Sequence, residues 1–430
     1  MLKASFYTLG CRLNQAETAL ISSTFTDGGY EIVPFNESAD VCVINSCTVT
    51  EHADAKCRQL VRQVLKRNPQ TYVAVVGCYS QTSSEALKKV DGIDLIIGTQ
   101  EKLKVLQHID EPSKTPQPKI VRDTVDRKSF TIDIKDPKIK TTRANIKIQD
   151  GCDFMCSFCV IPFARGRARS RAFWDIQREA IDLASQGFKE LVITGVNIGT
   201  YQFEGKSFLD VLKMLLSIPG LERIRISSIE PTTIPYELLD IMADNEKLCP
   251  HLHIPLQSGC DKTLSAMKRK YNVKEYMEFI DAAYKKIPNI MLATDIIVGF
   301  PGETQTDFAQ TCATFRDSPL TYVHVFSFSQ RDKTAAGRLP DKIDPRTKKQ
   351  RSKELHVLSD QKKQKFYEQS LGQTVRLLVE NQSHNGHWQG FSDNYIKIAV
   401  DIPGIKKNDL INVQLKEVLD DVVYATNGDF

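Results

Sequence analysis

Three cysteines crowd into the stretch Gly151-Cys152-Asp153-Phe154-Met155-Cys156-Ser157-Phe158-Cys159, spaced C-x-x-x-C-x-x-C with an aromatic before the last. This spacing restricts the fold more than any other feature, because the three thiols converge only if the chain makes one tight loop. Three thiolates on such a loop can hold three irons of a cubane iron-sulfur cluster, which ordinarily takes four cysteines, so the fourth iron stays open to a non-protein ligand. A structural zinc site is a weaker reading, since it normally uses paired C-x-x-C or Cys/His units and no second pair or H-x-x-x-H lies nearby. Incidental buried cysteines are the remaining alternative, although those pack as scattered small hydrophobes rather than in a polar loop opening on glycine.

Apolar runs at residues 4–9, 41–45, 72–76 and 93–97 alternate with helical patterns such as residues 51–68, which predicts a parallel α/β sheet. Three further cysteines stand just past three of these strands, in Leu9-Gly10-Cys11, Asn45-Ser46-Cys47 and Val76-Gly77-Cys78. Open α/β sheets build their sites at strand carboxyl ends, so Cys11, Cys47 and Cys78 form a second candidate constellation at one sheet edge. Cys42, inside an apolar strand, and Cys57, inside a helical pattern, read instead as core cysteines. Residues 107–143, with Pro112, Pro116, Pro118 and Pro137 among charged residues, read as a linker holding at most an edge strand near residues 129–134.

The alternation resumes with candidate strands at 145–148, 190–194, 223–227, 251–254, 291–298 and 322–326, and helices such as 173–186 and 274–285 between them. Six βα units predict a complete or partial barrel, whose chemistry gathers at the strand carboxyl ends. There lie the polar or glycine-rich turns Thr194-Gly195-Val196-Asn197, Ser227-Ser228-Ile229-Glu230-Pro231, Pro255-Leu256-Gln257-Ser258-Gly259 and Gly299-Phe300-Pro301-Gly302-Glu303. The cysteine loop follows the first strand and so opens on the same mouth. His251 and His253 alternate along a strand and read as internally satisfied. Residues 347–371 form a basic helical pattern. From 373 to 430, strand-like segments at 375–380, 395–400 and 410–418 suggest a small β-barrel of about OB-fold size.

The charge balance, 57 Lys+Arg against 53 Asp+Glu, makes local patches rather than overall charge the basis of any anionic partner. Eleven cysteines, no signal peptide at Met1-Leu2-Lys3-Ala4-Ser5 and no apolar run of membrane length point to a reducing, cytoplasmic setting without membrane association.

The loop with Cys152, Cys156, Phe158 and Cys159 resembles the signature of radical S-adenosylmethionine enzymes, in which the open iron binds S-adenosylmethionine (SAM) and its reduction yields a carbon radical. The resemblance implies that Cys152, Cys156 and Cys159 ligate that [4Fe-4S] cluster, with Gly195 and Asn197 near the SAM amino group and Ser227 and Glu230 near ribose or carboxylate. It places Gln257 in the same site and the Gly299 turn near adenine. The tail, through Leu371-Gly372-Gln373 and His387-Trp388-Gln389-Gly390, resembles the RNA-binding TRAM domain.

Taken together, the chain resembles the methylthiotransferase family along nearly its whole length. That implies a domain at 1–106 with an auxiliary [4Fe-4S] cluster on Cys11, Cys47 and Cys78, a linker at 107–143, a radical SAM domain at 144–370, and a TRAM-like barrel at 371–430. The motifs Thr8-Leu9-Gly10-Cys11-Arg12-Leu13-Asn14-Gln15-Ala16-Glu17 and Lys147-Ile148-Gln149-Asp150-Gly151-Cys152 are most similar to the branch acting on N6-threonylcarbamoyladenosine. The branches acting on isopentenyladenosine in tRNA or on a ribosomal-protein aspartate tend to carry Gln-Met or Pro-Lys after the first cysteine, and neither pair is present. The implied partners are a tRNA anticodon stem-loop and an electron donor such as flavodoxin or ferredoxin, with Arg165, Arg167, Arg169 and Arg171 as candidate phosphate contacts. A non-catalytic iron-sulfur RNA-binding or sensor protein is the rival from another class.

Overall fold

The computed structural model describes residues 1–133, 139 and 141–428. The first domain is a six-stranded parallel sheet built from β1 (Lys3–Thr8), β2 (Glu31–Ile32), β3 (Val41–Ser46), β4 (Tyr72–Gly77), β5 (Leu95–Ile97) and β6 (Lys119–Val121), in the order 2-1-3-4-5-6. β3 and β4 are buried at every position, which is why they read as unbroken apolar runs rather than alternating ones. Helices α1 (Arg12–Asp27), α2 (Glu51–Arg67) and α3 (Cys78–Lys88) cross over between them. The strand order reverses between β1 and β3, and ligand crevices of such sheets lie at that switch, outside the strand carboxyl ends.

Two strands had no clear sequence signal. β2 is two residues long, and β6 is largely exposed and falls within the proline-rich stretch 107–143. The edge strand expected near 129–134 is reduced to one parallel bridge, Phe130 to Arg171; its last residue and Pro137 lie outside the described residues.

The second domain carries β7 (Arg143–Lys147), β8 (Glu190–Thr194), β9 (Arg223–Ile226), β10 (His251–His253), β11 (Met291–Val298) and β12 (Tyr322–Ser327), all parallel. Bridges Ile224–Leu248 and Ser228–His253 join β9 to β10, so the six strands follow in chain order as a partial barrel. Helix α1 of the first domain packs against β7 at the open edge. The helix Phe173–Ser185 shows the recurring logic: Ile176, Ala180 and Leu183, on one face, are fully buried against the strands. The long helix Pro345–Gln369 packs on β12; Pro345 opens it, and Asp344 caps it by accepting from the Arg346 and Thr347 amides at 2.8 and 3.0 Å.

The third domain is a closed barrel of β13 (Thr374–Gln382), β14 (Trp388–Ser392), β15 (Lys397–Val400), β16 (Leu410–Leu419) and β17 (Val422–Asn427), in the order 13-14-15-17-16. β14 and β17 are additions to the three strands expected. Gly390 marks β14, because a Cβ there would sit 1.8 Å from the Leu378 carbonyl oxygen on β13. Buried Arg223 and Arg225 on β9 donate to the carbonyls of Phe391, Ser392 and Asp393, and buried Glu190 pairs with both arginines. No helix of the described residues is long and apolar enough to cross a membrane.

Candidate functional site: two cysteine trios beside adjoining cavities

The loop after β7 is shaped by Gly151, whose φ is +71° and whose missing side chain leaves room for the Arg167 carbonyl, 2.0 Å from where a Cβ would stand. The loop is pinned by Cys152 N–H to Gly166 O at 3.1 Å, Ser157 N–H to Met267 O at 2.9 Å and Ala336 N–H to Ser157 O at 2.7 Å. Cys152, Cys156 and Cys159 lie together, and each sulfur meets an N–H donor. Phe154 N–H points to Cys152 Sγ at 3.4 Å, Arg269 Nη1 to Cys156 Sγ at 3.1 Å, and the Ile161 amide to Cys159. Burial pushes the Cys152 thiol up to about 11 and Cys159 to about 12, with the neighbouring thiols adding to the shift. Three sulfurs gathered on one loop, each met by an N–H donor, fit a cationic iron-sulfur cluster that would hold them as thiolates.

Arg269 also donates to Tyr271 Oη at 3.1 Å and pairs with Glu230, which places Glu230 beside this loop. Burial raises the Glu230 carboxyl against the pull of Arg269. Sequence reasoning missed Arg269; its signal was the basic run Lys268-Arg269-Lys270 after a barrel turn.

The second trio stands at the switch point of the first sheet. Gly10 has φ +92°, and a Cβ there would lie 2.8 Å from Cys47 Sγ, so glycine is required both by conformation and by the close sulfur. Gly77, at φ +99°, is equally closed off by Asn45 Oδ1 at 2.6 Å. Cys11 precedes α1 and is exposed, while Cys78 begins α3 and is buried like Cys47. Burial, with Cys78 and Cys11 adding, pushes Cys47 up to about 12; Cys78 is raised by burial against the opposing charges of Arg165 and Lys102. Among the described residues no group of three or more His, Cys, Asp or Glu side chains could hold a single metal ion. A cubane cluster asks for a different arrangement, one sulfur for each of three irons. Cys42 and Cys57 are fully buried in the sheet core.

Behind Cys78 lies a buried ion cluster that joins the two domains. Glu17 on α1 accepts from Lys147 Nζ at 2.8 Å and Arg165 Nη2 at 3.0 Å, and pairs with Lys102. Asp150 accepts from Lys147 at 2.6 Å and Arg165 at 2.9 Å, with Arg169 at 3.5 Å. This corrects the expectation of four arginines gripping phosphate. The Arg165 side chain is 1% exposed in this cluster, Arg171 is 1% exposed against Asp175 and Glu179, and Arg169 is 7% exposed; Arg167, at 45%, is the one open to solvent.

All three domains line a cavity of about 1090 Å3, with Cys11 and Arg12 from the first, Gly195, Ser227, His251, His253 and Asp295 from the second, and Phe391, Tyr395 and Lys397 from the third. A cavity of about 190 Å3 beside it is lined by Val49, Thr50, Phe158, Cys159 and Gln257, and shares Asp295 and Phe326 with the first. The first cavity reaches Cys11 and the second Cys159. Gln257 holds φ +68°. His253 Nε2 lies 2.8 Å from Asp295 Oδ1, whereas buried His251, its ring tilted against Tyr395 with centroids 4.7 Å apart, keeps Nδ1 without a partner among the described residues and is held neutral by burial and the nearby Arg225 charge.

Two of the residues expected to contact SAM are engaged within the protein. The Asn197 side chain accepts from Thr233 Oγ1 at 3.0 Å, and its backbone amide donates to Gln149 Oε1 at 2.8 Å. Gly299, at φ +72°, makes room for the Lys348 stem of the long helix, 2.2 Å from where a Cβ would stand.

Residues 3–98 match the uncharacterized protein family UPF0004, and residues 146–315 match the radical SAM superfamily. The latter match implies SAM and one [4Fe-4S] cluster. The chain is 36% identical to the threonylcarbamoyladenosine tRNA methylthiotransferase MtaB of Bacillus subtilis, over 93% of this chain and 90% of that protein. It is 37% identical to the protein of the same name from Aquifex aeolicus, over 92% and 96%. A tRNA-2-methylthio-N(6)-dimethylallyladenosine synthase of Thermoanaerobacter is 34% identical over 87% of this chain and 82% of its own. Among solved structures, the radical SAM methyltransferase TsrM of Kitasatospora setae shares the fold at a TM-score of 0.55 and 15% identity, covering 78% of this chain and 75% of that one. An α/β domain that carries one cysteine trio, docked on a radical SAM barrel that carries another, and relatives of this identity over nine-tenths of the chain make the protein a radical SAM methylthiotransferase.

Proposed function

We propose that this enzyme places a methylthio group on carbon-2 of N6-threonylcarbamoyladenosine at position 37 of tRNA, beside the anticodon. The observation that carries the reading is the pair of adjoining cavities, one reaching Cys11 and the other Cys159, in a chain whose 36–37% identical relatives bear that activity in their names. Carbon-2 of an adenine offers no acidic proton and no leaving group, so acid–base chemistry has nothing to act on. Bound at Cys152, Cys156 and Cys159, a [4Fe-4S] cluster with SAM would supply a carbon radical.

Cys11, Cys47 and Cys78 would hold the second [4Fe-4S] cluster and with it the sulfur source. Arg269 orients Cys156 and Glu230 together, Gly195, Ser227 and Gln257 form walls of the SAM site, and the hydrogen bonds of Ser157 to Met267 and Ala336 hold the loop in place. The nucleotide leaves its stack to reach this space, at a cost of a few kcal/mol that an anticodon-loop base reduces. In this reading residues 1–106 carry the auxiliary cluster, 107–143 link the domains while lending β6 to the first sheet, 144–370 carry the radical chemistry, and 371–430 contact RNA. The setting is the cytoplasm, with a flavodoxin- or ferredoxin-type electron donor.

Mass spectrometry of tRNA nucleosides from cells lacking the protein tests this. The 2-methylthio form of threonylcarbamoyladenosine disappears, returns with the wild type and stays absent with Cys47→Ala. Persistence of that nucleoside, with loss of the 2-methylthio isopentenyl form instead, would move the enzyme to the substrate named for the Thermoanaerobacter relative; loss of neither would point to the ribosomal aspartate.

A further inference from the structure

The large cavity is more cationic than its own acids balance. Arg12, Arg143, Arg225, Lys363 and Lys397 line it, against Asp295 and Asp360. Arg143 is paired with Glu380, Arg225 with Glu190, Lys363 with Asp421, and Asp295 with His253. Arg12 is different. Among the described residues its guanidinium has no carboxylate partner, and its one side-chain hydrogen bond goes to the Tyr395 hydroxyl, with the ring centroid 5.7 Å away. Burial pushes the Tyr395 phenol up, yet Arg12 and Arg143 together hold it below its ordinary value, which shows how positive this end of the cavity is. A half-buried guanidinium fixed by a phenol keeps unused donors in a fork that matches a carboxylate.

Arg12 is also the residue after Cys11, on the first turn of α1. A purine that turns carbon-2 toward the sulfur at Cys11 carries its N6 substituent on the same ring edge, into the same cavity. We propose that Arg12, held by Tyr395, receives the carboxylate of an amino-acid substituent on the substrate nucleoside and so selects it over nucleosides with an uncharged N6 group. The proposal rests on the threonylcarbamoyl reading above. Neither SAM nor a tRNA phosphate needs to be Arg12's anion, and the test separates these sources.

Anticodon stem-loops carrying threonylcarbamoyladenosine as the free acid or as its methyl ester are titrated against cluster-loaded enzyme without reductant, so that binding is read without turnover. Wild type binds the acid about 10–100-fold tighter than the ester, the range for one charge-assisted hydrogen-bonded pair. Arg12→Gln brings that ratio near one, and Arg12→Lys restores part of it. If Arg12→Gln weakens acid and ester equally, its anion is SAM or phosphate and the proposal fails; if the ratio stays as in wild type, Arg12 touches no carboxylate. Iron content confirms that each variant is folded. Wild type that modifies the isopentenyl stem-loop and not the threonylcarbamoyl one would refute the functional reading itself, a result distinct from either.

Discussion

Glu17 offers the sharpest test of how the first two domains are held. It is fully buried on α1, and with Asp150 it faces Lys102, Lys147 and Arg165, with Arg169 at the rim. Glu17→Gln keeps the shape but leaves Asp150 as the one carboxylate among these cations. Breaking a buried pair by removing one partner costs about 3–5 kcal/mol, and three cations lose this partner at once, so the upper end, about 5 kcal/mol, applies. Against a typical domain stability of about 5–15 kcal/mol this is a large loss. It falls on the α1–β7 contact, since Glu17 and its partners Lys147 and Arg165 belong to different domains. The pH dependence has a definite sign. Burial pushes the Glu17 carboxyl up, but Arg165, Lys102 and Lys147 outweigh it and hold it well below its ordinary 4.5. The pair therefore contributes fully above about pH 4.5 and is lost as pH falls below it. Urea unfolding of the iron-free protein, followed by circular dichroism at pH 7 and in steps down to about pH 2, should show wild type losing stability below about pH 4.5 and Glu17→Gln losing correspondingly less from a lower start. A Glu17→Gln midpoint equivalent to within about 1 kcal/mol of wild type at pH 7 would refute the reasoning.

The arginines after the cysteine loop and the first glycine turn make two further tests. Arg167→Gln should reduce the slope of log K against log salt for tRNA binding by about 0.7–0.9, while Arg171→Gln should leave the slope unchanged and cost about 3–5 kcal/mol of stability, measured by urea titration; the reverse pattern would return Arg171 to the RNA face. Gly10→Ala drives a methyl against Cys47 Sγ at φ +92°. Reconstituted Gly10→Ala should therefore bind about four irons per chain where wild type binds about eight, and full iron content would show that the Cys47 position tolerates displacement.

How legible these features were depended on the range over which their physics acts. β3 and β4 announce themselves because burial on both faces requires unbroken apolar runs, and Gly10 and Gly77 mark the turns that bring Cys11 and Cys78 to one edge. β2 and β6 lack that signal, being short or exposed additions to an edge that the rest of the sheet supports. The basic run from Arg165 to Arg171 looked like a phosphate grip because its acids come from three separate elements: Asp175 and Glu179 on the next helix neutralise Arg171, Asp150 faces Arg165 and Arg169, and Glu17 is 148 residues from Arg165. Local composition shows charge and hides its partner. The same holds for Arg12 and Tyr395, 383 residues apart, whose hydrogen bond no local pattern could suggest.

The interfaces between domains differ in kind from the cores within them. Among the described residues the buried barrel core runs from Ala144 to Leu355 and the buried members of the first domain's clusters stay within residues 4–109, so none of these clusters joins the two domains. Buried charge joins them instead, through Glu17, and buried charge also seats the third domain, where Arg223 and Arg225 cap the carbonyls of β14 beside Met291 and Tyr367. Such polar joints are stiff only while every charge is balanced. The first joint is not balanced by its own residues: Lys102, Lys147, Arg165 and Arg169 stand against two carboxylates. The surplus lies beside Cys78, where Arg165 and Lys102 oppose the burial that would keep the thiol protonated. In the function proposed above, negative charge gathered on Cys11, Cys47 and Cys78 would complete the joint, and the sulfur chemistry of the first domain and its docking on the barrel would then draw on the same cations.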